Sequence, residues 1–157
     1  MMLWRIATAV RGNDPADISG AASSVHPGRW NSEGSKVVYC APSRAMASLE
    51  SMTHVPAGCF PLRRFLIAID VPDNIWRRRK TAAAESLDPA WSSMPAGPAS
   101  VDFGTSWLRA ETSALFEVPS IIVHEESVVL INPAHPDADQ IAARVAREFD
   151  SDILFRR

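Results

Sequence analysis

A chain of 157 residues with 46% hydrophobic composition suits one compact domain, 1–157, with a core that needs neither metal nor disulfide framework. Its formal net charge of −2 and sequence pI near 6.1 argue against a protein that grips nucleic acid electrostatically, because such proteins carry a basic face. The N-terminal residues lack the apolar core of a secretion signal, and no apolar run approaches the roughly 18 residues of a membrane helix. The expectation is a soluble, cytoplasmic protein with Cys40 and Cys59 reduced.

In chain order, Leu3–Ala7 reads as a first strand and Gly12–Ser24 as a polar loop. The turn-rich segment His26–Gly34 leads into a strand over Lys36–Cys40. Ser43 is placed to cap a helix running to Met52, with Ala45, Met46, Leu49 and Met52 as its apolar stripe, and Pro56 and Gly58 end it. Phe65–Val71 alternates as a strand buried mainly on one face. Residues 72–103, with prolines at 72, 89, 95 and 98, read as an irregular insertion carrying one short helix near Ala82–Leu87. Within it, Arg77-Arg78-Arg79-Lys80 reads as a solvated basic face. Ser106 is expected to cap a helix over Trp107–Leu115, and strands Ser120–Val123 and Val128–Ile131 form a hairpin around Glu125-Glu126. After the rigid Asn132-Pro133-Ala134-His135-Pro136 loop, Ala138, Ile141, Ala142, Val145, Ala146 and Phe149 recur at helical spacing. They predict a helix capped by Asp137 or Asp139. Ile153–Phe155 is a candidate last strand. Strands outnumber helices without alternating with them, so the fold class is α+β.

Familiar site motifs are absent. The chain holds no G-x-G-x-x-G, no Walker-type phosphate loop and no G-x-S-x-G elbow. Its four histidines and two cysteines lack zinc-ligand spacing, so no metal is expected. What remains is a set of polar residues in unusual places. Gly28-Arg29-Trp30-Asn31 sits in a turn just ahead of a strand, where a guanidinium can hold a pyrophosphate in bidentate fashion. An ordinary ion pair for Arg29 and a core anchor for Trp30 explain the same residues equally well. Tyr39 is the only tyrosine, either a core residue with a satisfied hydroxyl or a ring on which a planar ligand stacks. Glu50 falls at the edge of the helical stripe, where it either reaches solvent or projects into a cleft beside Tyr39.

Taken in order, Gly28-Arg29-Trp30-Asn31, Val37-Val38-Tyr39, Ala47-Ser48-Leu49-Glu50, Trp107-Leu108, Val118-Pro119-Ser120 and Asn132-Pro133-Ala134-His135-Pro136 resemble the RES domain, over nearly the whole chain. The resemblance implies a fold similar to ADP-ribosyltransferase toxins, with a mixed sheet and flanking helices. It implies the toxin half of a toxin–antitoxin pair, neutralised by an Xre-like helix-turn-helix antitoxin. It further implies NAD⁺ as substrate, its ADP-ribose passing to water, to phosphate or to a protein such as phosphoribosyl pyrophosphate synthetase. The matching positions are Arg29, Tyr39 and Glu50 as catalytic residues, with Ser120, Trp30, Asn132 and His135 binding substrate. Ser127 and His124 depart from the pattern, where asparagine and proline are common. The competing readings are a non-catalytic module that binds a nucleotide or a partner, docking through Trp76 and Trp91, and a serine hydrolase built on Ser120 and His135.

Overall fold

The structure is a computed structural model that describes residues 1–53 and 63–150. The expected helix stop at Pro56 and Gly58, the thiol of Cys59 and the strand at Ile153–Phe155 lie outside the described residues.

In chain order the described elements are β1 (Met2–Thr8), α1 (Ala21–Val25), β2 (Val38–Cys40), α2 (Arg44–Met52), β3 (Arg64–Asp70), α3 (Asp73–Arg77), β4 (Lys80–Thr81), α4 (Pro98–Ala110), β5 (Leu115–Pro119), β6 (Ser127–Ile131) and β7 (Ala142–Phe149). Short 3₁₀ turns occupy Ala84–Ser86, Pro89–Ser92 and Pro136–Gln140. One antiparallel sheet has the order β1-β3-β7, and a second has the order β2-β6-β5-β4, in which only β4 runs parallel to its neighbour. The mixed α+β architecture matches the fold class expected from the sequence.

The period of two along a strand sends neighbouring residues to opposite faces, and here it divides the interior into two cores. Val38, Cys40, Leu115, Val129 and Ile131 face the other sheet and meet Leu3, Ile67 and Ile69. Val37, Phe116, Val118, Val128 and Leu130 point the other way and pack against α2, α4 and the tryptophans Trp30, Trp91 and Trp107. The four-stranded sheet is therefore covered on both sides, and the second core underlies the candidate site.

Several expectations change. The polar loop Gly12–Ser24 contains α1. β3 is buried along both faces, not mainly on one, because Leu66 and Ala68 are as enclosed as Ile67 and Ile69. The supposedly irregular 72–103 stretch holds α3, β4, two 3₁₀ turns and the first residues of α4. Arg77, Arg78 and Lys80 of its basic run are exposed, as a solvated face requires, and the run also makes contacts. Arg78 pairs with Asp137 at 2.9 Å, Arg79 with Glu117 at 2.6 Å, and Lys80 lies over the rings of Phe103 and Phe116. Ser106 does not cap a helix. α4 starts at Pro98, whose fixed φ suits the first helical turn, and ends where Glu111 adopts φ 48°. Leu115 consequently opens β5, and residues 120–123 are irregular chain leading into a turn at 124–125 instead of a strand. The hairpin with Val128–Ile131 survives, its first strand shifted to β5.

The largest correction concerns Ala138–Phe149. Its helical stripe is real, yet Ala142–Phe149 forms β7 on the open edge of β3, with Ala146 bulged between the paired Val145 and Arg147. β1 satisfies only one edge of β3. A helix at the other edge would leave a row of buried backbone N–H and C=O groups without partners. That requirement outweighs a mild local periodicity.

Candidate functional site

The turn ahead of β2 is organised around Tyr39. Its hydroxyl donates to Asn31 Oδ1 at 2.7 Å and accepts from the backbone N–H of Trp30 at 3.0 Å. Asn31 Oδ1 also accepts the Gly28 N–H at 2.9 Å. A Cβ on Gly28 would stand 2.7 Å from the Tyr39 hydroxyl, so the turn closes over the phenol only with glycine there. Burial first, opposed by the Trp30 N–H and by the Arg29 charge, holds the phenol above its ordinary pKa and hence neutral. From behind, α4 braces the turn. Thr105 Oγ1 accepts the Ser32 N–H at 2.9 Å, and a Cβ on Gly104 would lie 2.0 Å from the Trp30 carbonyl oxygen. Trp30 itself is a core anchor, 2% exposed and stacked on Trp91 with ring centres 5.9 Å apart.

Arg29 leaves this turn toward the segment after Trp91. Its Nη1 donates to the carbonyls of Trp91 at 2.7 Å and Ser93 at 2.9 Å. The edge formed by Nε and Nη2 has no oxygen partner among the described residues. Nη2 touches Met94 Sδ at 3.0 Å, and buried Nε makes no hydrogen bond. That edge is the fork with which a guanidinium takes two oxygens of a carboxylate or phosphate. Desolvation lowers the Arg29 pKa, with Tyr39 and then Glu50 acting in the opposite direction.

Glu50 comes from α2. Ser43 caps the helix as expected, its Oγ accepting the Met46 N–H at 3.1 Å. The buried face carries Met46 and Ala47, whereas Leu49 points outward at 39% exposure. Glu50, three and four residues beyond the inward pair, is thereby turned toward the sheet and not along the border. Its Oε1 accepts from Ser120 Oγ at 2.5 Å. The Ser120 oxygen in turn accepts the N–H groups of Ile122 at 3.0 Å and Val123 at 3.2 Å. With both acceptor positions filled, the single hydroxyl proton belongs to Glu50. Ser120 is 1% exposed and thus orients the carboxylate from within the fold.

Asn132 and His135 are placed elsewhere. Ser120 follows β5 at the end where Pro119 pairs Ser127, while Asn132 follows β6 at the end where Ile131 pairs Leu115. The five-residue ladder between them spans roughly 17 Å. Asn132 donates to the Leu108 carbonyl at 2.9 Å and accepts from Ala134 N–H at 3.1 Å, which ties α4 to the loop. His135 Nδ1 caps the Pro136–Gln140 turn by accepting the Asp137 N–H at 3.1 Å. Both act structurally in these contacts, and a Ser120–His135 hydrolase pair does not form. The two departures from the family pattern also find places. Ser127 Oγ donates to Glu117 at 2.8 Å, and the His124 ring meets Trp91 at 5.1 Å between centres.

Sequence reasoning gave no individual role to Asn31 or Met94. Asn31 carried a usable signal, since asparagine in a glycine-flanked turn commonly bonds its own backbone neighbourhood. Met94 carried none. A depression of about 440 Å³ beside β4 is lined by Glu85, Glu117, Glu125 and Glu126, a charge that opposes an anionic ligand. Among the described residues no cluster of His, Cys, Asp and Glu is arranged to hold a metal, and no helix is long and apolar enough to cross a membrane.

Residues 2–152 match the RES domain family model. The "Prs ADP-ribosylating toxin" of Sphingobium sp. strain YBL2 is 45% identical over 146 residues, covering 93% of this chain and 91% of the relative. "Toxin Res" of Pseudomonas putida strain KT2440 is 33% identical over 147 residues, covering 92% and 93%. The fold is similar to one in the crystal structure of the M. tuberculosis MbcT–MbcA toxin–antitoxin complex, with a TM-score of 0.70 at 16% identity over 95% of this chain and 82% of that one. The ordered motifs, the two-sheet fold and these likenesses agree: the chain belongs to the RES-domain family.

Proposed function

We propose that this protein is a toxin acting as a single RES unit, which cleaves the nicotinamide–ribose bond of NAD⁺ and passes ADP-ribose to a protein acceptor. The carrying observation is the Glu50 carboxylate, turned inward by α2, oriented by Ser120 and acting electrostatically on Arg29. The name of the Sphingobium relative supports protein modification as the outcome.

Breaking this bond develops positive charge on the ribose, as in glycoside hydrolysis, and nicotinamide departs neutral. A strong general acid is therefore unnecessary, and a fixed carboxylate beside the developing cation is what the reaction requires. Glu50 supplies it, and Ser120 removes its rotational freedom. The Nε–Nη2 edge of Arg29 takes the pyrophosphate after Met94 Sδ moves aside. The neutral Tyr39 ring backs the nicotinamide end. As the C1′–N bond breaks, an acceptor nucleophile bonds to C1′ and releases its proton to solvent. Water or phosphate in the acceptor's place yields a glycohydrolase or a phosphorylase from the same cation. An antitoxin of the Xre-like class is the expected neutralising partner, a reading supported by the toxin–antitoxin complex that shares the fold.

The test is release of nicotinamide from NAD⁺ by purified protein, alone, with phosphate and with a candidate acceptor. Glu50→Ala is expected to lower the rate by about 10²–10³-fold with the fold intact, the scale of losing one oriented electrostatic group. Wild-type protein that binds NAD⁺ without releasing nicotinamide under any of these conditions would favour the binding-module reading instead.

A further inference from the structure

The Tyr39 hydroxyl and Asn31 lie behind Arg29, and their bonds bracket that residue. The amide on one side, Gly28 N–H, ends on Asn31 Oδ1, and the amide on the other, Trp30 N–H, ends on the Tyr39 oxygen. The two oxygens are joined by the Tyr39 proton at 2.7 Å. Asn31 is fully buried and its Nδ2 donates to the carbonyls of Ser23 at 2.9 Å, Ser35 at 3.0 Å and Ser32 at 3.2 Å. This donation fixes which way the amide faces, so its oxygen must point at Tyr39 and Gly28. The tyrosine oxygen has given its proton and accepts an N–H, and a ribose hydroxyl would have to displace a buried bond to engage it.

We propose that Asn31 and the Tyr39 hydroxyl are positioning residues that act through Arg29, fixing its backbone so that the Nε–Nη2 edge faces the dinucleotide phosphates. The inference rests on the proposed NAD⁺ reading and deepens it. The two ends of Arg29 are held by different devices. The hydroxyl–amide clamp sets the Cα, and the carbonyls of Trp91 and Ser93 hold Nη1. What keeps no oxygen partner is the bidentate edge, with Nε buried and Nη2 under Met94 Sδ. Gly28 belongs to the same device, because any side chain there would push the phenol away from Asn31.

The clamp predicts a defect in binding and not in bond cleavage. Tyr39→Phe keeps the ring and removes the hydroxyl, and it remains testable if Asn31→Ala fails to fold. In the Glu50→Ala background, where NAD⁺ is consumed about 10²–10³-fold more slowly, calorimetry gives the NAD⁺ dissociation constant directly. Arg29→Ala is expected to weaken binding at least about tenfold, and Tyr39→Phe, which removes both hydroxyl bonds of the clamp but keeps the guanidinium, about fivefold. The Arg29→Ala/Tyr39→Phe double variant should bind like Arg29→Ala alone, since a clamp acting through Arg29 has nothing to aim once the guanidinium is gone. With Glu50 intact, Tyr39→Phe should raise KM while kcat stays within about twofold. A fall in kcat at unchanged KM overturns the proposal, because the hydroxyl would then act on the reacting ribose. Multiplying losses in the double variant overturn it as well. Loss of affinity in Arg29→Ala without any in Tyr39→Phe defeats the clamp alone, whereas no loss in Arg29→Ala defeats the phosphate-grip reading together with it.

Discussion

Two residues in this molecule owe their chemistry to neighbours far away in sequence. Glu50 is aimed by Ser120, which stands 70 positions later, and Ser120 is itself held by the N–H groups of Ile122 and Val123. Ser120→Ala removes the proton that fixes Glu50 and leaves those two amides unmatched. We expect a kcat about tenfold lower with KM little changed, and a stability loss of about 1–3 kcal/mol, read by single-turnover nicotinamide release and by denaturant unfolding. The reverse pattern, KM rising at constant kcat, would place Ser120 on the substrate instead. Met94 makes a second case. Its thioether is a weak acceptor lying on Arg29 Nη2, and at 77% exposure its side chain has room to leave. Met94→Glu puts a carboxylate within reach of the edge proposed to take phosphate, and NAD⁺ affinity should fall in a titration, with the effect shrinking at high salt.

Elements set the direction of each of these residues. The N-cap of α2 was readable from Pro42-Ser43, and Ser43→Ala should cost about 1 kcal/mol, seen as a lower denaturant midpoint at unchanged slope. The inward turn of Glu50 was not readable, because Leu49 extends the apparent stripe while the sheet takes Ala47 instead. α4 was half legible. Its C-terminal part was expected, but the start at Gly97-Pro98 was hidden among prolines that looked like loop signals. This helix fixes the Arg29 turn through Gly104, against whose α-carbon the Trp30 carbonyl packs. Gly104→Ala has no room, and a loss of about 1–3 kcal/mol or failure to fold is expected in thermal melts. At β7, hydrogen exchange distinguishes strand from helix. Amides should be protected according to their pairing with β3, not in the continuous run that a helix gives.

Across the whole molecule, two cores on either side of one sheet couple the site to global stability. Cys40 lies in the core between the sheets, fully enclosed, with its thiol donating to the Val129 carbonyl at 3.1 Å. Burial pushes its pKa up to about 12, partly offset by Arg5. The folded pKa thus lies above that of the unfolded thiol, so this contribution to stability is complete below the unfolded value and is lost as pH rises toward 12. The neutral Tyr39 phenol, also raised by burial, acts in the same direction. Stability should therefore decline above about pH 9, measurable by denaturant unfolding across that range. Labelling of Cys40 should be negligible in the native state and complete after unfolding, as mass spectrometry of the alkylated peptide would show.

By itself the sequence determined the α+β class, the strands around Leu3, Tyr39, Ile67 and Val129, the Ser43 cap and the ordered motifs that place the chain in its family. These features depend on local patterning and on residue types at fixed positions, which one dimension records. Only the tertiary structure decided that Ala142–Phe149 is a strand, since the open edge of β3 set that choice. It also separated Asn132 and His135 from Ser120 by placing them at opposite ends of one hairpin ladder. The Arg29–Tyr39–Glu50 grouping belongs to both levels. Its members were visible as residues, but the orientation of each comes from partners on other elements, and backbone pairing across a sheet leaves no trace in local periodicity.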